Sequence, residues 1–130
     1  IVRGKYRSKK GVTFFTENKD IQQLGYMSHK KNHIIYPHIH KKQVRKINHT
    51  SEVLLILKGV LRVDFYNKKK VYLFSKLLRE KDIIMLVHGA HGFKVVKDVQ
   101  MLEIKQGPYI NKLDKIKFEE ANESKIKIKK

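Results

Sequence analysis

Short stretches rich in Val, Ile, Leu, Phe and Tyr recur along the chain, separated by clusters of Asn, Lys, Gly and Asp. They fall at 13–15, 22–28, 33–40, 44–49, 52–58, 60–66, 71–78, 82–87, 92–96 and 99–105. Each has the length and residue types of a β-strand. Leu61-Arg62-Val63-Asp64-Phe65-Tyr66 alternates cleanly, which puts Leu61, Val63 and Phe65 on one core-facing side. Asn67 to Lys70 reads as a hairpin turn and Lys97-Asp98 as a second tight reversal. Pro108 stops the last strand, because Pro cannot donate to a ladder. No stretch shows convincing helical periodicity. Many evenly spaced short strands predict an all-β sandwich or barrel.

The ends carry a different pattern. Residues 1–10 are basic and read as an arm or edge strand, 11–118 as the folded domain, and 119–130 as a polar basic tail. Ile126 and Ile128 alternate with lysines in that tail and could add an edge strand. A length of 130 residues with 41% hydrophobic content suits one domain with its own core. There is no Cys, which excludes disulfides and thiolate ligands. No apolar run reaches the roughly 20 residues of a membrane-spanning helix, and no signal peptide is visible, so a cytoplasmic location and no membrane partner are expected. The chain starts at Ile1 rather than Met, which leaves room for an upstream segment. The net charge of +18 invites an anionic partner. The basic residues are spread from Arg3 to Lys130, however, and no nucleic-acid motif accompanies them, so nucleic acid is not the expected partner.

The candidate chemistry lies in the histidines. His38 and His40 are one residue apart and share a face if 33–40 is a strand. Glu52 opens the apolar run Val53-Leu54-Leu55-Ile56-Leu57, and His91 sits in the Gly-rich loop after Ile83-Ile84-Met85-Leu86-Val87. Three imidazoles and a carboxylate suit a divalent transition metal such as Fe, Mn, Ni or Zn. Glu103 and Lys105 alternate on one face of the last strand. They make either an outer ion pair or an inner polar pair, in which Glu103 could act as a general base and Lys105 could bind substrate. Arg45 could hold a carboxylate or phosphate, and Tyr36 or Tyr26 could stack on a sugar ring. His29 and His33 flank a turn and His88 precedes Gly89, positions that suit exposed side chains.

The spacing His38-x-His40, Glu52, six residues, Gly59, followed by Asp82, an apolar strand, Gly89 and His91, resembles the two motifs of the cupin family. The resemblance extends to Thr13-Phe14-Phe15-Thr16, to Gln22-Gln23-Leu24-Gly25-Tyr26-Met27, to Val63-Asp64-Phe65-Tyr66 and to Glu103-Ile104-Lys105-Gln106-Gly107-Pro108-Tyr109. In these strings the chain is similar to bacterial single-domain cupins that accompany surface-polysaccharide and nucleotide-sugar genes. It departs from the pattern in placing eleven residues between His40 and Glu52, with Lys81 in place of Gly and Val87 in place of Pro. His49 is the obvious substitute for Glu52 as a ligand.

The resemblance implies a double-stranded β-helix (jelly-roll) barrel, with His38, His40, His91 and Glu52 as metal ligands. It also implies a small-molecule ligand, with a sugar or nucleotide-sugar as the candidate, and a homodimer. Val12-Thr13-Phe14-Phe15, an apolar edge, points toward the same dimer. Sugar isomerisation or epimerisation is the leading expectation. The alternatives are an Fe(II)-dependent dioxygenase and a non-catalytic small-molecule-binding cupin.

Overall fold

The structure, a computed structural model, describes residues 1–8, 11–108 and 114–130. Lys9 and Lys10 of the basic arm and Tyr109 of the last motif therefore lie outside the described residues. The elements are β1 (Gly11–Phe14), β2 (Gly25–Ser28), β3 (Glu52–Tyr66), β4 (Tyr72–Arg79), β5 (Ile83–Leu86), β6 (Ala90–Lys105) and one 3-10 turn, Glu123–Lys125. All named strand pairs are antiparallel, so the fold is all-β. The contacts divide the chain into two compact units, one of Ile1–Lys5 with His49–Lys130 and one of Tyr6–Asn48.

The smaller unit holds the β1–β2 hairpin. Phe14 lies opposite Gly25, where a Cβ would come 2.9 Å from the Phe14 ring. Tyr6 packs edge-on against Phe15 and Tyr26, with ring centroids 5.1 and 5.3 Å away. The expected strands at 33–40 and 44–49 are absent, and Ile39 and Val44 are 91% and 98% exposed. β-branched residues favour a strand only where a second strand supplies hydrogen bonds and packing, and none within this unit pairs with them.

The larger unit is built on β3. β4 pairs with its second half from Val60 to Tyr66, β5 pairs with its first half from Glu52 to Leu55, and β6 runs along its other edge. A straight strand would hold Glu52 and Phe65 about 44 Å apart. Yet β5 ends opposite Glu52 and β6 begins opposite Tyr66, and the short connection between them reaches about 14 Å at most. β3 must therefore bend back on itself. The register shifts between Ile56 and Leu61 mark where it does so. Gly59 sits at the bend with φ +89°, and a Cβ there would lie 1.9 Å from the Asp98 carbonyl oxygen of β6. Opposite the bend, the Lys81 N–H donates to the Ile56 carbonyl (2.7 Å) and the Ile56 N–H to the Asp82 carbonyl (3.0 Å), so β4 and β5 act as one bent strand.

The result is a sheet folded onto itself. Leu54, Ile56, Ile84 and Leu86 from one half meet Leu61, Val63 and Leu78 from the other, all buried. Phe65 packs beside them, as the alternation predicts. Lys97-Asp98 is not a reversal: it lies inside β6, where that strand bends around Gly59. The pairings among the described residues do not close the sheet into a barrel. At the β3–β4 turn, the Asn67 side chain accepts from the Lys69 and Val71 N–H groups, as its turn propensity suggests.

Both termini of this unit are tied to the sheet. Val2 bridges Ile83, and Ile128 bridges Ser75 in parallel, so Ile128 does extend the β4 edge. On the outer face, Arg62 and Asp64 are 5% and 4% exposed. The Arg62 guanidinium donates to both oxygens of Asp64 (2.8 and 2.9 Å) and to both oxygens of Glu123 (2.8 and 3.0 Å). Burial of these charges is tolerable because each is hydrogen-bonded to its opposite.

Candidate functional site

The bend in β3 decides the site. His91 lies directly opposite Phe65 and Glu52 directly opposite Lys105, at far ends of the β3–β6 ladder. Folding the sheet brings those ends together, and His91 Nε2 lies 3.0 Å from Glu52 Oε2. A carboxylate at Glu52 only accepts, so in this hydrogen bond Nε2–H is the donor. Glu52 is 8% exposed, and the His91 side chain is 24% exposed.

Cross-strand register settles the orientation of Glu103 and Lys105. Glu103 is opposite Leu54, a fully buried core residue, and Lys105 is opposite Glu52. Directly opposed residues share a face, so both lie on the side of the sheet that carries Leu54 and Glu52, with Glu103 itself exposed there and Lys105 half-buried. Lys105 donates to Asp114 Oδ2 at 2.9 Å, and this bond, more than the charge of Asp114, Glu52 and Glu103, raises the affinity of Lys105 for its proton.

These groups border a cavity of about 570 Å3, lined by Glu52, His91, Glu103, Tyr66 and residues 114–120. Of the twelve acidic side chains in the chain, Glu52, Asp64, Glu103, Asp114, Glu119 and Glu120 line this one cavity. A molecule of net charge +18 thus has one acid-rich, solvent-open pocket, in which Glu103, Glu119 and Glu120 are exposed and Asp64 is held by Arg62. Positive charge on the surface can draw an anion toward the molecule, whereas the cavity itself offers hydrogen-bond acceptors.

Tyr36, His38, His40 and Arg45 belong to the other unit, and all four are exposed. His38 Nδ1 donates to the Tyr36 carbonyl at 2.9 Å, and the His38 and His40 rings meet edge to face with centroids 5.2 Å apart. His29 and His33 stack with centroids 4.2 Å apart, exposed as expected, and His88 is exposed too. Among the described residues no group of three or more His, Asp and Glu is gathered closely enough to hold a metal. Glu52 and His91 meet through a hydrogen bond of 3.0 Å, so Nε2 could bind a metal only by giving up the hydrogen it shares with Glu52.

The Arg62–Asp64–Glu123 group gives no signal in the sequence. Arg62 and Asp64 alternate like any solvated strand face, and Glu123 lies 61 residues away from Arg62. No protein-family model, no curated protein and no solved structure matches this chain.

Proposed function

We propose that the chain is a cupin-type jelly roll and that the cavity of its larger unit binds a small polyhydroxylated molecule, a sugar or the sugar part of a nucleotide-sugar, for proton-transfer chemistry. The observation that carries the reading is the Glu52–His91 hydrogen bond inside the cavity, with Glu103 on the same face of the sheet. Glu52 orients the imidazole and leaves Nδ1 to take a proton, while Glu103 accepts from a hydroxyl or moves a second proton. Isomerisation or epimerisation next to a sugar carbonyl needs such a pair. The acid-rich lining favours hydroxyls inside the cavity and a phosphate, where present, outside it.

A divalent metal is a second reading of the same pair, supported by the nearness of Glu52 to His91 and by the His38-x-His40 pattern of the sequence, and it would replace the hydrogen on Nε2. Glu52 and His91 would hold it. A bound metal would polarise a carbonyl or, as Fe(II), support dioxygenase chemistry. Pairing of two copies belongs to the same proposal. Val95, Val96, Leu102 and Ile104 of β6 are each more than half exposed, and contiguous apolar surface is commonly covered by a partner.

Thermal shift with sugars, sugar phosphates and nucleotide-sugars, each with and without Mn(II), Fe(II), Ni(II) or Zn(II), tests the reading. A ligand at a hundredfold excess over its Kd stabilises the fold by about 2.7 kcal/mol, and His91→Ala should abolish that shift. A non-sugar acid that stabilises the protein while every sugar fails would sink the carbohydrate assignment and favour the dioxygenase.

A further inference from the structure

We propose that residues 114–120 form a lid over this cavity, latched by Asp114 on Lys105 and hinged where Glu123 grips the outer face of the sheet. The inference rests on the reading of the cavity as the ligand site and adds how that site opens. The two halves of the C-terminal segment are held in different ways. Downstream, Ser75 N–H donates to the Lys127 carbonyl and Lys129 N–H to the Ser75 carbonyl, both at 2.9 Å, which ties the chain to β4 by its backbone. Glu123 adds its bonds to Arg62 and one to Lys94 Nζ at 2.6 Å, and Ala121 N–H donates to the Tyr66 hydroxyl at 3.1 Å.

Residues 115–120, by contrast, form neither strand nor helix, although they wall the cavity. Side-chain contacts hold them at either end. Asp114 meets Lys105 with the two side chains 13% and 18% exposed. Phe118 stands edge-on to Tyr66, with centroids 5.1 Å apart, and Lys70 Nζ lies 5.7 Å over the Phe118 ring. Such contacts can break and re-form without disturbing the sheet, because the hinge keeps its own bonds. The latch is also chemically sensitive to the ligand. Lys105 shares a face of the sheet with Glu52 and Glu103, so a ligand group that hydrogen-bonds Lys105 competes with Asp114 and biases the lid.

The rate at which diethyl pyrocarbonate modifies His91, read by mass spectrometry against exposed His88 in the same molecule, reports the open fraction. Asp114→Asn and Phe118→Ala each loosen the lid from a different end; the first touches no residue of β3, and the second removes one edge contact on Tyr66 at the end of β3. In each, the His91/His88 rate ratio should rise at least threefold, with faster trypsin cleavage after Lys115 and Lys117. Ratios unchanged in both variants would overturn the lid. Failure of the cavity reading looks different: sugars and sugar phosphates would then leave the His91 rate of the unaltered protein unslowed, whatever the variants do.

Discussion

Gly59→Ala should damage this fold more than its position on an exposed bend suggests. The new Cβ would lie 1.9 Å from the Asp98 carbonyl oxygen and 2.8 Å from that of Lys97, both backbone atoms of β6 that no side-chain rotation can move. A positive φ costs an L-residue about 1–2 kcal/mol, and forcing an extra carbon into a filled site costs about 1–3 kcal/mol. Together they predict a loss of about 2–5 kcal/mol, a large part of the 5–15 kcal/mol typical of a domain. Gly89 separates the two effects. It too has a positive φ, +95°, but a Cβ there meets only the Tyr66 carbonyl at 3.9 Å, an ordinary contact. Gly89→Ala should therefore lose about 1–2 kcal/mol. Urea denaturation followed by circular dichroism gives both losses, with an unchanged m-value confirming a common unfolded state. Gly59→Ala no more destabilising than Gly89→Ala would refute the close approach of β3 and β6, and with it the bend that joins Glu52 to His91.

Leu54→Ala removes a fully buried side chain from between the two halves of the sheet and should cost about 2–5 kcal/mol in the same urea assay. Glu123 is held down to about 2 by its bonds to Arg62 and then to Lys94. Its contribution to docking the C-terminal segment should be complete above pH 4.5 and disappear as the pH falls through 2; trypsin-family cleavage is unsuited to that range, so pepsin digestion of the segment between pH 4 and pH 2 is the measurement. Glu103→Gln should abolish sugar binding or turnover with no change in melting temperature, since its side chain lines the cavity and fills no core space. A marked drop in melting temperature would show that it serves packing instead.

Local pattern determined much of this protein. Composition marked the strand-forming segments from Glu52 onward, although 52–58 with 60–66 and 92–96 with 99–105 each join into one long strand, and alternation put Leu61, Val63 and Phe65 on the core side, because side-chain direction in a strand is fixed by the backbone pleat. The turn at Asn67 was equally legible, since one side chain satisfies its amides. Glu52 and His91 could be picked out as candidates from residue type and spacing. Only the tertiary structure decided that they touch, because that contact depends on a bend whose close approach involves Asp98, 39 residues from Gly59 along the chain. The same holds for the face of the sheet that carries Glu103 and Lys105, which cross-strand register assigns and alternation cannot. Residues 33–40 show the opposite case. Their composition suggested a strand that the structure does not form, because a strand also needs a partner's hydrogen bonds and their own unit supplies none. The pairing of buried Arg62 with exposed Glu123 lay furthest from view, since charge on an alternating face reads as solvated until a distant segment meets it.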